Sequence, residues 1–184
     1  MEQSKKALLV MDFQNAIVNR ITDAASLLVN TSNAINRARE GSIPVIYVIV
    51  GFRQGMPEIS SANKSFSATM QHMANADMEE WMTIHPGVAP KENDIVITKR
   101  RISAFTGSDL EVVLRGLDIR DLILTGVSTS GVVLSTLREA ADKDYGLTVI
   151  ADCCADPDEE VHRVLTGKVF PRQADVIKVK DWPK

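Results

Sequence analysis

The sequence predicts an α/β domain of three layers, a parallel sheet with helices on both faces, and two observations carry that expectation. Short runs rich in Val, Ile and Leu recur without polar alternation, the pattern of strands buried on both sides. Between them lie segments with apolar residues at helical spacing, and strands alternating with helices of this length imply right-handed βαβ crossovers. At 184 residues the whole chain, 1–184, is expected to form one domain, since roughly 150 residues per domain is usual.

The strand-like runs are residues 7–11, 43–50, 94–97, 122–124, 147–150 and 176–179. After the first, Leu27, Leu28, Thr31, Ala34, Ile35 and Ala38 share one helical face, and Gly41 follows as a C-cap. After the second, residues 51–93 break the alternation with Pro57, Pro86, Pro90, scattered methionines and Trp81. Such a long connection suits a lid or an interface segment, with one short helix expected near 67–82. The next helix opens at Ser108 with Glu111 three residues on, a capping-box pattern, and buries Leu110, Val113 and Leu114. A third turns Val132, Val133, Thr136, Leu137, Ala140 and Ala141 inward and Arg138, Glu139, Asp142 and Lys143 outward. The last has Asp156 as N-cap, Pro157 at its first position and Glu159 at its third, then Val161, Val164, Leu165 and Val169.

Composition narrows the function classes. Apolar residues at 45% and charged residues at 24% give the balance of an ordinary globular protein. A net charge of −3 offers polyanions no general attraction, and Lys99, Arg100 and Arg101 are too few for a nucleic-acid patch. The run 43–50 contains Pro44 and falls well short of the roughly 20 residues of a membrane helix. No targeting segment is expected, so the location expected is cytoplasmic. Adjacent Cys153 and Cys154 suit neither a disulfide framework nor C-x-x-C chemistry. His72, His85 and His162 show no metal-ligand spacing, so neither a metal nor a cofactor is expected.

Ligands of open α/β sheets bind beyond the carboxyl ends of the strands, and three polar positions fall there. Asp12 ends the first run, Lys99 follows the third, and the turn Gly126 to Gly131 follows the fourth. Asp12 alone reads equally as an N-cap or turn residue, and Lys99 alone as a solvated charge. Together, at neighbouring strand ends, they could tune each other for proton transfer. The stretch "TGVSTSGVV" nearly makes a G-x-S-x-G nucleophile elbow, but Ser130 replaces the last glycine and no histidine follows a clear strand.

Four ordered stretches, "ALLVMDFQNAIV", "VITKRRISAFTGSDLEVVLR", "LILTGVSTSGVVLSTLREAADKDY" and "VIADCCADPDEEVH", resemble the isochorismatase-like hydrolases, the cysteine hydrolase superfamily. The resemblance implies a six-stranded parallel sheet, homodimers or higher oligomers, and an Asp, Lys and Cys triad. Asp12 and Gln14 match the family's D-x-Q, and Lys99 its catalytic lysine, with Arg101, Ser103, Ala104 and Phe105 completing K-x-R-x-S-A-F. The elbow G-V-x-T-x-x-C-V would place the nucleophile at Val132, so the expected thiol is absent. Valine cannot attack a carbonyl. Cys153 and Cys154 read as small buried residues. The segment "VIVGFRQG" also lacks the Asp-x-His metal motif of nicotinamidase-like members.

The resemblance extends to isochorismatases, which lack the cysteine and hydrolyse a vinyl ether by protonating its carbon. In this chain Asp12 would be the general acid and Lys99 would position substrate, with Gln14, Arg101, Phe105, Gly131 and Val132 as binding residues. Arg101, Arg53 and Gln54 could hold carboxylates. Backbone N–H groups around Gly131 and Val132 could face partial negative charge, and Val132 with Phe105 could form an apolar wall. The reading is a hydrolase of a small carboxylated or carbonyl compound acting without a covalent cysteine step. Its rivals are an inactive family member that binds a small ligand or assembles as an oligomer, and a serine or relocated-cysteine hydrolase.

Overall fold

The computed structural model describes residues 5–73 and 77–182. Six strands, β1 (Lys6–Met11), β2 (Val45–Val50), β3 (Ile95–Lys99), β4 (Asp121–Val127), β5 (Gly146–Ala155) and β6 (Asp175–Ile177), form one sheet in the order β3-β2-β1-β4-β5-β6. Every pairing is parallel. Because β1 continues to β2 on one side and pairs with β4 on the other, the strand order reverses beside β1, where such sheets open a crevice.

The unbroken hydrophobicity of the strands follows from two cores. Ala7, Leu9 and Met11 of β1 join a cluster with Leu110, Leu114, Val133, Leu137 and Phe170. The alternate residues Leu8 and Val10 face the opposite cluster, with Leu27, Ala34, Ile35 and Ala38. The inner strands β1, β2 and β4 are therefore buried at nearly every position, which erases the period-two signal. The flanking helices are α1 (Asn15–Val18), α2 (Ala24–Glu40), α3 (Lys64–Met73), α4 (Met78–Met82), α5 (Leu110–Gly116), α6 (Leu134–Asp142) and α7 (Glu159–Val164).

The segment after β2 holds two helices, α3 and α4, where one was expected. It has a small core of its own: Val50, Phe52, Met56 and Phe66, with Ile17, Met78 and Trp81 against it. This packing roofs the carboxyl ends of β1 and β2, and Phe52 meets Phe66 edge to face at 5.7 Å.

Two helix starts differ from the sequence expectation. Asp158, not Asp156, caps α7, accepting from the N–H groups of Glu160 and Val161. Asp156 is drawn away to accept from Ser130 N–H at 2.8 Å. At α5, Ser108 Oγ accepts from Leu110 N–H and donates to the Ala104 carbonyl. Glu111 completes no capping box there, because Lys143 takes its carboxylate at 2.6 Å. Tertiary partners outbid the local motif in both cases. Val161, Val164, Leu165 and Val169 are only partly buried.

Candidate active site

Asp12 is the first residue beyond β1. Its backbone lies in the left-handed region at φ 58°, a conformation that carries a cost for a non-glycine residue, and its N–H is held by the Val48 carbonyl at 2.8 Å. The turn directs the side chain across the end of β2 to Lys99, the last residue of β3. Asp12 Oδ2 and Lys99 Nζ are 3.0 Å apart, with both side chains buried. The ammonium also donates to the carbonyls of Arg101 at 2.9 Å and Ile102 at 3.1 Å, so all three of its protons are placed. The carboxylate is less well served: Asp12 Oδ1 is buried without a hydrogen-bond partner. Burial pushes the Asp12 carboxyl above the ordinary carboxylate range, while Lys99 pulls it down with the smaller effect.

Both residues line a cleft of about 280 Å³ at the ends of β1, β3 and β4. The elbow forms its far wall through Val127, Ser128, Gly131 and Val132. Here the chain leaves β4 through a cis Val127–Ser128 peptide and a wide π-type turn, Thr129–Val133, before α6. Gly126 permits this close approach, because a Cβ there would stand 3.0 Å from the Met11 carbonyl and 3.1 Å from Val133 Cγ2. Thr129 is fully buried, with its hydroxyl 2.8 Å from His162 Nδ1 of α7. Burial lowers the His162 pKa, opposed by Asp156.

The remaining expected site residues divide. Val132 and Gly131 line the cleft, but the Gly131 N–H turns to the carbonyl and hydroxyl of Ser128, at 3.1 and 3.2 Å, rather than to the open space. Gln14 lies outside the lining set. It is fully buried, donating to the carbonyls of Val50 and Trp81 and accepting from Val50 N–H, so it clamps α4 to the end of β2. Phe105 belongs to the core beneath α6, 6.0 Å from the Tyr145 ring. Arg101 reaches the carbonyls of Arg100 and Glu58 and lies over the Phe66 ring, so it pins the roof. Arg53 is occupied by Glu58, and Gln54 is exposed.

Sequence reasoning missed Ile17, Arg20, Ile21, Phe52, Phe66 and Trp81, all of which line the cleft. The apolar pair Ile17 and Ile21 just beyond Asp12, and the aromatic residues of the long segment, were the available signals. Among the described residues no group of three or more His, Cys, Asp or Glu could hold a metal. Both cysteines are buried and free. Burial pushes the Cys154 thiol up to about 12, and that of Cys153 higher still.

A model of the isochorismatase domain matches residues 6–181. The chain belongs to the isochorismatase family. It is similar to an uncharacterized isochorismatase family protein of Bacillus subtilis (strain 168), 28% identical over 91% of this chain and 87% of that one. A ureidoacrylate amidohydrolase of Pseudomonas savastanoi pv. phaseolicola is 30% identical, over 86% of this chain and 74% of the relative. Among solved structures, an isochorismatase family protein of Burkholderia thailandensis superposes with a TM-score of 0.84 at 27% identity, covering 96% of this chain and 93% of that one. The six-stranded parallel sheet is the fold shared with these structures.

Proposed function

We propose that this isochorismatase-family chain hydrolyses a small carboxylated or carbonyl compound through Asp12 and Lys99, with no covalent cysteine step. One observation supports this reading above the others: a buried carboxyl with an unpaired oxygen and a raised pKa lines the cleft, held by a fully engaged lysine. A carboxyl that keeps its proton is suited to general-acid work.

For a vinyl ether, Asp12 gives its proton to the terminal alkene carbon, leaving an oxocarbenium ion and a carboxylate paired with Lys99. Water adds to the cation, losing a proton that returns to Asp12. The resulting hemiketal collapses to an alcohol and a keto acid. Nothing in this sequence asks for a nucleophile at Val132, which serves as wall. An amide would need an activated nucleophile; the Ser128 hydroxyl in the cleft lining accepts from Gly131 N–H and has no basic side chain hydrogen-bonded to it among the described residues, although a relative carries the name of an amidohydrolase.

The test is product detection by mass spectrometry, wild type beside Asp12→Asn, with isochorismate and a panel of small amides. Pyruvate released only by the wild type supports the reading. Amide hydrolysis that survives Asp12→Asn contradicts it. A second reading, a ligand-binding member without turnover, is favoured by Val132 at the position where the resemblance expects the nucleophile. Its signature is thermal stabilisation by a ligand that is never consumed.

A further inference from the structure

The arginines around the cleft are not equivalent. Arg53 is paired with Glu58, Arg100 with Glu58 and the Gly51 carbonyl, and Arg101 with two backbone carbonyls. Arg20, on the connection between α1 and α2, lines the cleft itself and is exposed. Its guanidinium has no hydrogen-bond or ion-pair partner among the described residues.

The charge balance of the cleft depends on it. The ionisable residues lining this space are Asp12, Lys99 and Arg20. With Asp12 ionised, it cancels Lys99 and leaves the one positive charge of Arg20. With Asp12 protonated, both cations stand uncompensated. The cleft is therefore positive in either state, although the chain carries a net −3, and low-dielectric walls such as Phe52, Phe66 and Val132 concentrate that potential. Trp81 adds an aromatic wall, with its indole N–H buried out of reach of the open space.

We propose that Arg20 is the anion anchor of this cleft and that the ligand is a small organic carboxylate. Its acid group sits on the Arg20 guanidinium at the mouth, and its apolar body lies between the aromatic walls. The planar guanidinium suits a bidentate carboxylate, and a cleft of about 280 Å³ lies at the small end of ligand sites. The inference rests on the reading of this cleft as the substrate site, and it moves the anchoring role from Arg101 and Arg53 to a residue outside every quoted motif.

Titration calorimetry with benzoate beside its neutral isostere benzamide tests it, using wild type, Arg20→Ala and Arg20→Lys, each checked for folding by circular dichroism. Benzoate is expected to bind wild type at least tenfold more tightly than benzamide. Arg20→Ala removes that preference without weakening benzamide, and Arg20→Lys recovers part of it. Equal binding of the two probes, unchanged benzoate affinity in Arg20→Ala, or no benzoate binding at millimolar concentration overturns the anchor. Failure of the hydrolase reading is seen separately: benzoate held through Arg20 with no turnover on any substrate removes the chemistry and leaves the anchor. Turnover whose KM ignores Arg20→Ala does the reverse.

Discussion

At Asp12, two opposing effects act on one proton, and burial outweighs the nearby Lys99 ammonium. If the protonated carboxyl is the working form, activity is present below the raised pKa and lost as pH rises through it. The pH profile of kcat should show a single fall on the alkaline side, at a value above the ordinary carboxylate range; a rate that increases with pH there would make Asp12 a base instead. Asp12→Asn should lower kcat by about 10²-fold or more, whereas Cys153→Ala and Cys154→Ala should leave it within about twofold, since their raised pKa values keep both thiols protonated and weakly nucleophilic. Val132→Cys places a thiol in the cleft beside Lys99. That variant should react with iodoacetamide while the wild type stays unlabelled. An unlabelled Val132→Cys protein, shown to be folded, would mean that the elbow does not present this position to the cleft.

The elements that carry the site are held from behind. Gln14 fills three backbone partners at once, and Gln14→Ala leaves buried groups on β2 and α4 unmet. A loss of about 3 kcal/mol is expected in urea unfolding, from roughly 1–3 kcal/mol for each unsatisfied group; a loss under about 1 kcal/mol would show that water replaces the amide. The elbow depends on the contact between Thr129 and His162. Because burial depresses the folded-state pKa of His162, the unfolded chain takes up the proton more readily. This contribution to stability is present above the unfolded value of about 6.5 and is lost as pH falls through the folded one. His162→Gln should flatten the pH dependence of the melting temperature below that value, and an unchanged slope would assign it to other groups. These supports were the least legible part of the sequence. Asp12 and Lys99 could be placed because each ends an apolar run, and that logic reaches residues at strand ends. Gln14, Arg101 and Phe105 sit in the same motifs yet turn into the roof or the core. A motif records which residues occur together, not which way each side chain points. Asp156 failed as a cap for the same reason, its carboxylate having a better partner at Ser130.

Across the whole molecule, the two-sided burial of the inner strands β1, β2 and β4 made the sheet readable. β1 divides its residues between two clusters, so its continuous hydrophobicity states directly that both faces are covered. The crossover logic then follows, and the observed order β3-β2-β1-β4-β5-β6 sets the crevice where Asp12 and the elbow meet. The 51–93 connection was harder, because its apolar residues pack against one another and show no single period. It supplies the aromatic walls, Phe52 from a loop, Phe66 from α3 and Trp81 from α4, and Arg20 lies on another connection, so much of the cleft lining comes from the segments between strands. No helix among the described residues is long and apolar enough to cross a membrane. The architecture thus brings a buried carboxyl, an arginine without a partner among the described residues and apolar walls around one small cleft, and the central claim is the proposal that this set works without a thiol. Mass-spectrometric detection of pyruvate from isochorismate, with wild type beside Asp12→Asn and the Cys153→Ala/Cys154→Ala double variant, tests that claim most directly. Pyruvate is expected from the wild type and the double variant and none from Asp12→Asn; pyruvate from Asp12→Asn, or its loss in a folded double variant, would contradict that claim.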